Sequence, residues 1–429
     1  NDRSKMYYTP NKENNVFQLV VQYGAGEREF PKLGYAAQLM NNAGIMGAYE
    51  PQELKEELSK LNATCHVTAD DDNLYIIMEG YEATLPQACQ LLSRQILMPK
   101  LDEKQLARLK GSAMGMRQQR KDNVSILNEA LRQYMLYGEK SDYIKELTDK
   151  EIYELQISEL TGDINRASNY EAKVFFTGTL PFDQVYDILS KNLPLVANER
   201  PSNSPQAKEM MPVTENTVYF LPNNDAEQAQ IHLYIPMQKA DKKDDVLRSA
   251  FNQYFGLDFT GIVLNEIREK RSMAYTAYAF VGTQGIAGKA SYLRGYIGTQ
   301  NDKANDALDV LMSLVNDMPK NPERIGNIKS YLRQAMLTSH PSFRNKAMEL
   351  VDLGYRGYTD DPAKENLPKV DALTFDDIVK FYEENIKGKP YCISIMGNPK
   401  DIDLKRLEKF GKVVKLNERK LFNTKDALF

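Results

Sequence analysis

The order of apolar and polar residues predicts a helix followed by a strand near residue 150. Residues 147–152 read LTDKEI, which places Thr148 as a helix N-cap, and Glu151 completes a capping box three residues later. We expect this helix to extend to about Leu160. The stretch 169–178 then predicts a strand that ends at a glycine turn.

The same succession of signals occurs again near the end of the chain. Residues 373–378 repeat the capping pattern with Thr374 as N-cap, and we expect the helix to reach about Asn385. Residues 390–397 then predict a strand that again ends in glycine. The two N-caps are separated by about half of the chain. An internal repeat at this spacing predicts two copies of one structural unit.

The remaining elements follow one order in both halves, and residues 197–207 between them are rich in Pro, Asn and Ser, as in an exposed linker. We predict an α+β fold of two tandem homologous domains, 1–200 and 213–429, joined by a linker at 201–212. Each domain is expected to be a largely antiparallel sheet covered by helices on one face. The predicted order is a strand (15–23; 229–236), a helix (33–43; 246–255), a second helix (53–61; 262–270), a strand pair (63–81; 273–298), a helix (85–97; 302–317) and a long amphipathic helix (102–120; 322–337).

Composition and charge narrow the classes of partner. The chain is 42% hydrophobic and 27% charged, as in ordinary globular proteins, and its formal net charge is −4. Lys and Arg are dispersed among Asp and Glu without a basic stripe, so we expect no nucleic-acid partner. No apolar run approaches the roughly 18 residues of a transmembrane helix, so we expect no membrane insertion.

The three cysteines, Cys65, Cys89 and Cys392, lie far apart and lack Cys-x-x-Cys spacing. We expect them to be buried apolar residues rather than disulfide partners or zinc ligands. Cysteine poverty is also common in bacterial envelope proteins, so it does not fix the compartment. The localisation stays open, with the bacterial periplasm or cell envelope slightly favoured over the cytoplasm. The chain starts at Asn1 rather than Met, so we expect that a preceding segment has been removed.

The histidines and a run of aspartates are the residues that could suggest a metal site. His66 and His232 fall in predicted strands and His340 in a Ser-His-Pro turn, and no pair has the i, i+4 spacing of helical zinc ligands. The run 70–72 (DDD) lacks the glycine and the distal glutamate of a calcium loop. We therefore expect structural histidines and a solvated hairpin tip.

The duplicated halves and their element order resemble the pitrilysin (insulinase-like) family of zinc metallopeptidases, whose domains have a metallohydrolase-like, processing-peptidase-like fold. In the active domains of that family a helix carries His-x-x-Glu-His, and a later helix supplies a further glutamate. Here Ala37, Met40 and Asn41 fall at the positions of the motif, and Met116 falls at the distal position. Ala and Met offer no donor suited to zinc, so the resemblance implies a degenerate site that holds no metal.

A second element of the family is retained. Residues 264–275 read LNEIREKRSMAY, which resembles the Leu-Arg-Glu-x-x-Gly-x-x-Tyr element of the family's non-catalytic domain. The resemblance implies that Arg268 and Tyr275 bind substrate by donating hydrogen bonds to a peptide. Ser272 stands where the family has glycine, and Arg271, at the same helix end, is a competing candidate.

The resemblance implies a function shared between two halves. This chain is expected to be inactive alone and to hold an unfolded peptide, while zinc comes from a homologous zinc-bearing half in the same polypeptide or in a separate subunit. One alternative is a scaffolding subunit without a role in hydrolysis. Another is a presequence-binding subunit, although residues 254–261 (YFGLDFTG) are unlike the long glycine-rich loop that such a subunit uses.

Overall fold

Two β-sheets with the same strand order organise the chain. The structure is a computed structural model that describes residues 4–193, 200–203, 205–256 and 260–425. Its strands are β1 (Lys5–Pro10), β2 (Val16–Tyr23), β3 (Gly44–Ile45), β4 (Thr64–Ala69), β5 (Leu74–Tyr81), β6 (Pro99–Lys100), β7 (Ala172–Gly178), β8 (Thr217–Pro222), β9 (Gln228–Lys239), β10 (Thr276–Thr283), β11 (Ala290–Gln300), β12 (Cys392–Gly397) and β13 (Lys412–Lys415).

The two sheets confirm the predicted duplication. The first has the order β1-β7-β2-β5-β4, and the second has the order β8-β12-β9-β11-β10 with β13 added beyond β8. Within each order the first pair of strands is parallel, and the following pairs are antiparallel. The strands β3 and β6 form a separate short ladder. The chain therefore has the predicted α+β fold with largely antiparallel sheets.

Helices cover the sheets and fill the connections between strands. They are α1 (Leu33–Met40), α2 (Pro51–Lys60), α3 (Leu85–Leu97), α4 (Glu103–Gln119), α5 (Val124–Tyr137), α6 (Asp142–Lys145), α7 (Asp149–Tyr153), α8 (Ile157–Ala167), α9 (Phe182–Asn192), α10 (Asp245–Phe255), α11 (Ile262–Leu264), α12 (Ala304–Asn316), α13 (Ile325–Thr338), α14 (Lys346–Tyr355), α15 (Pro362–Ala372), α16 (Phe375–Asn385) and α17 (Leu404–Leu407). Within the described residues, none of them combines the length and the apolarity needed to cross a bilayer.

Both predicted capping boxes form. The Thr148 hydroxyl accepts a hydrogen bond from the Glu151 amide at 3.1 Å, and the Glu151 carboxylate accepts one from the Thr148 amide at 2.7 Å. The same pair of bonds joins Thr374 and Asp377. The first helix, however, does not reach Leu160 as predicted. It ends at Tyr153, and α8 begins after an extended Gln156. No glycine or proline marks this break in the sequence.

Each half has its own apolar core on one face of its sheet. In the second half, Ile231, Leu233 and Ile235 of β9 are fully buried and belong to one cluster with Phe251 of α10 and Leu311 of α12. The core of the first half lies between residues 17 and 193. The predicted domain limits stay a prediction, because residues 194–199 and Ser204 of the linker region lie outside the described residues.

The other face of each sheet receives a helix from the opposite half. On the second sheet, Leu127 and Leu131 of α5 pack with Leu221 of β8 and Met396 of β12. On the first sheet, Ala347 of α14 packs in a cluster that includes Val20 and Phe175. The expectation of helices on one face only was therefore wrong. Because these sheets carry apolar residues on both faces, the second face of each sheet must also be buried. A helix from the other half of the same chain buries it.

A polar group is buried where α5 meets the second sheet. The Nε2 atom of His232 on β9 lies 3.0 Å from the Oδ1 atom of Asn128 on α5. The His232 ring also packs on Tyr296, with ring centroids 5.1 Å apart. Burial, with the nearby positive charges of Arg294 and Arg132, lowers the pKa of His232 from 6.5 to about 3. The imidazole is therefore held neutral at the junction of the two halves.

Shortening an apolar side chain of α5 should weaken this junction. Leu131 is fully buried, so we expect Leu131→Ala to lower the free energy of unfolding by about 3 kcal/mol through lost burial and a residual cavity. Urea denaturation followed by circular dichroism measures the change. Val124→Ala, on an exposed position of the same helix, is the matched control and should cost less than about 1 kcal/mol. Equal losses in the two variants would contradict the role assigned to α5.

The neutral His232 should also make stability fall in acid. Below pH 6.5 the unfolded chain binds a proton at His232, whereas the folded chain does not bind it until the pH reaches about 3. The stabilisation present above pH 6.5 is therefore lost as the pH decreases. We expect His232 to make the free energy of unfolding about 2 kcal/mol lower at pH 5 than at pH 7.5. Urea denaturation of wild type and His232→Gln at both pH values isolates this contribution. His340→Gln, at an exposed turn, should keep the wild-type pH dependence.

Candidate functional site

The segment that joins α11 to β10 forms a widened helical turn. The sequence predicted a regular helix over 262–270, but only Ile262–Leu264 is α-helical and Asn265–Glu269 forms a π-helix. Accordingly, the Lys270 amide donates to the Asn265 carbonyl at 2.9 Å. Ile267, in the middle of this turn, is fully buried and anchors it to the core of the second half. A π-turn of this kind is often found at functional sites.

The turn ends at a residue in the left-handed region of backbone conformation. Ser272 has φ of +51° and is one of two non-glycine residues with positive φ in the described part of the chain. Its amide donates to the Arg268 carbonyl at 2.8 Å, and the next amide, of Met273, donates to the Ile267 carbonyl at 3.0 Å. This is a Schellman-like helix end widened by one residue. The position at which the family resemblance implies glycine thus has the conformation that favours glycine.

The left-handed end returns the chain toward the sheet, and hydrogen bonds then fix its path. The Tyr275 amide donates to the Gly298 carbonyl at 2.9 Å, and the Thr299 hydroxyl donates to the Met273 carbonyl. As a result, the backbones of Arg268 and Tyr275 are both held on ordered structure: one on the π-turn and the other at the start of β10.

Arg268 and Tyr275 line the same cavity. This open cavity has a volume of about 410 Å³, and its wall consists of Arg268, Glu269, Ser272, Met273, Ala274, Tyr275, Gln300 and Lys303. The side chain of Arg268 is 44% exposed, and Tyr275 is 56% exposed. The structure therefore brings the two predicted substrate-binding residues together and leaves both accessible. Gln300 and Lys303 also line the cavity, and no sequence motif predicts them.

Arg271, the competing candidate, faces the other side of the turn. Its guanidinium donates to the backbone carbonyl of Glu266 at 2.7 Å and forms an ion pair with the Glu266 carboxylate. Lys270 binds the same carboxylate at 2.6 Å. These two cations lower the pKa of Glu266 by hydrogen bonding and charge. Arg271 is not among the residues that line the cavity of Arg268 and Tyr275.

The four positions aligned with the zinc site have non-ligand environments. Ala37 and Met40 of α1 are buried in the core of the first half, whereas Met116 of α4 is 55% exposed. The Asn41 amide donates to the Val67 carbonyl at 2.9 Å, and its carbonyl accepts from the Val67 amide at 2.7 Å. Asn41 is thus engaged with the edge strand β4.

The second half repeats this contact with the edge strand. Asn252 of α10 donates to the Val281 carbonyl at 3.0 Å and accepts from the Val281 amide at 2.6 Å. Val281 lies on β10, the edge strand of the second sheet. In both halves, therefore, an asparagine from the helix beside the sheet binds both backbone groups of one edge-strand valine.

The other residues considered for metal binding are dispersed. His66 lies in β4, His232 in β9 and His340 after α13, and no cluster of three or more His, Cys, Asp or Glu able to hold a metal occurs among the described residues. The aspartates at 70–72 occupy the turn between β4 and β5, where Arg28 pairs with Asp71 and Asp72, each at 2.9 Å.

The cysteines are free thiols, and burial raises the pKa of Cys65 and Cys89 to about 12 and that of Cys392 to about 11. The segment 254–261, compared above with a glycine-rich loop, includes residues 257–259, which lie outside the described part of the chain.

Replacing Ser272 by glycine should stabilise the chain. A side chain with a Cβ atom is strained at φ of +51°, so we expect Ser272→Gly to raise the free energy of unfolding by about 0.5–1 kcal/mol. Thermal and urea denaturation check the change. Ser272→Ala retains the Cβ atom and is the matched control, for which we expect no gain. A gain of similar size in both variants would show that the serine hydroxyl, rather than the backbone conformation, is unfavourable.

Comparisons with known proteins agree with this description. Residues 168–329 match the family model described as the peptidase M16 inactive domain, whereas a search of curated proteins finds no match. The fold is similar to that of the peptidase M16 inactive domain from Pseudomonas fluorescens, with a TM-score of 0.71 and 16% identity over 92% of this chain and 96% of that one.

Two longer proteases share the fold over part of their length. The periplasmic protease PqqL from Escherichia coli has a TM-score of 0.66 and 12% identity over 90% of this chain and 43% of that one. The ferredoxin protease FusC, in complex with Arabidopsis ferredoxin, has a TM-score of 0.68 and 12% identity over 92% of this chain and 44% of that one. Residues 168–329 are thus similar to the peptidase M16 inactive domain, and the chain as a whole has the fold of the solved M16 inactive domain.

Proposed function

We propose that this chain is the substrate-binding, non-catalytic half of a zinc-dependent endopeptidase. The observation that carries the proposal is the shared cavity of Arg268 and Tyr275, two exposed side chains placed on ordered backbone. Within the described residues, the Arg268 guanidinium has one ion-pair contact, from its Nε atom to Glu269 at 3.5 Å. Neither the guanidinium nor the Tyr275 hydroxyl has a hydrogen-bond partner there, so both are free to bind a ligand.

The chemistry of the two side chains suits a peptide. A guanidinium donates charge-assisted hydrogen bonds to carbonyl oxygens, and a phenol donates one hydrogen bond to a carbonyl or to the oxyanion that develops during hydrolysis. Neither group cleaves an amide bond by itself. The chain's own residues therefore bind and orient the peptide.

Zinc and the water-activating group are proposed to come from a homologous zinc-bearing half. Ala37 and Met40 lie in the apolar core and Asn41 is bound to Val67, so the aligned helix of this chain offers no ligand set for zinc. Two solved proteins with this fold, PqqL and FusC, are described as proteases, and this chain spans less than half of each. The FusC complex with ferredoxin supports a polypeptide substrate for our chain as well.

Turnover by the two halves together should depend on Arg268 and Tyr275. We expect Arg268→Ala and Tyr275→Phe each to lower kcat/KM about 10²–10³-fold, because each removes a donor that acts on the substrate or its transition state. The assay mixes the chain with a zinc-bearing half and follows cleavage of an unstructured fluorogenic peptide.

Arg271→Ala is the matched control, because Arg271 lies on the same turn but pairs with Glu266; we expect it to stay within about threefold of wild type. The chain alone, supplied with zinc, should give no turnover. If the Arg268 and Tyr275 variants retained full activity in the mixture, the chain would act as a scaffold rather than as a substrate-binding half.

A further inference from the structure

The cavity of Arg268 and Tyr275 has an excess of hydrogen-bond donors and of positive charge. Its charged wall residues are Arg268, Glu269 and Lys303, which leave one net positive charge, and the Tyr275 hydroxyl is also exposed to it. The chain as a whole has a net charge of −4. The wall of this cavity therefore has the sign of charge that attracts an anionic group.

The two cations of the cavity are only weakly satisfied. Among the described residues, Lys303 has no carboxylate partner, and its Nζ atom donates one hydrogen bond of 3.3 Å to the Ser272 carbonyl. The contact of Arg268 with Glu269 uses Nε at 3.5 Å and leaves the two terminal nitrogens of the guanidinium unengaged. A guanidinium, an ammonium and a phenol therefore line one space whose single carboxylate, among the described wall residues, is Glu269, in contact with Arg268.

On the opposite side of the same turn, two cations share a single carboxylate. There, Lys270 and Arg271 share the carboxylate of Glu266, which is 19% exposed and bound at hydrogen-bonding distance by both. On the side of the cavity, Glu269 contacts Arg268 at 3.5 Å, and no carboxylate of the described residues pairs with Lys303. A carboxylate on a ligand would supply the anionic partner that Lys303 lacks among the described residues.

We propose that this cavity binds a carboxylate group of the peptide substrate and that Lys303 is a specificity-determining residue for it. The proposal rests on the proposed function and narrows it to a class of substrate. The carboxylate is either an acidic side chain near the bound segment or the C-terminal carboxylate of the peptide. Arg268 supplies the planar fork that pairs with a carboxylate, and Lys303 adds a second charge from the start of α12.

A direct binding experiment tests this without the zinc-bearing half. Four fluorescent peptides of one unstructured sequence carry Glu or Gln at a central position, each with a free or amidated C-terminus. Fluorescence anisotropy with the purified chain measures each Kd at low salt. We expect a peptide with the recognised carboxylate to bind about fivefold tighter than its neutral counterpart. Preference for Glu identifies a side chain, and preference for the free acid identifies the terminus.

Variants separate the cavity from general surface charge. Lys303→Gln should reduce the fivefold preference to less than about twofold while leaving affinity for the neutral peptide nearly unchanged, and Lys303→Arg should restore the preference. Lys270→Gln is the matched control on the opposite side of the turn and should keep the full preference. Added salt should weaken the preference, since a partly exposed charge pair is screened.

Three outcomes would overturn the inference, and only the last of them also overturns the proposed function. Equal affinity for all four peptides, still lowered by Arg268→Ala, would leave a peptide-binding half without carboxylate selection. An unchanged preference in Lys303→Gln would likewise remove Lys303 from specificity. Absence of binding by every peptide would overturn both this inference and the proposed function.

Discussion

The exchange of helices between the two halves is the interaction on which the rest of the structure depends. Each sheet has apolar residues on both faces, and its own helices cover only one. Leu131 of α5 is fully buried against the second sheet, and Ala347 of α14 is buried against the first. Because burial of apolar area is the dominant stabilising contribution in folding, neither half can satisfy its sheet alone. The repeat in the sequence thus becomes one interlocked structure.

The candidate site is exposed, but the core and the sheet of the second half hold its backbone in place. The π-turn that carries Arg268 is anchored by the buried Ile267, and the start of β10 is bonded to the neighbouring strand through Tyr275 and Gly298. The side chains that would contact substrate are exposed, while the backbone beneath them belongs to the core and the sheet. A site supported in this way loses little conformational entropy when a ligand binds.

The sequence predicted the elements whose signals are local. The capping boxes at Thr148 and Thr374 and the strands that follow them were found from residue types a few positions apart, since caps depend on neighbouring hydrogen bonds. The pairing of Arg268 with Tyr275 in one cavity agrees with their placement by the family element. Their role in binding substrate stays a prediction.

Features that depend on distant parts of the chain were not found. The helices α5 and α14 have apolar residues at helical spacing, such as Leu127, Ala130 and Leu131, but nothing local indicates that they cover the sheet of the other half. Lys303 reaches the cavity only because β11 returns the chain beside the π-turn. Asn41 was considered as a lost ligand, and its bonds to Val67 depend on a strand 26 positions away.

The asparagine contacts at the sheet edges limit the addition of further strands. An open edge strand offers unpaired amides and carbonyls to any passing chain, and such edges promote aggregation by uncontrolled strand addition. Asn41 and Asn252 each occupy one amide and one carbonyl on β4 and β10. An additional strand that paired along either edge would therefore reach one amide and one carbonyl that are already hydrogen-bonded to an asparagine.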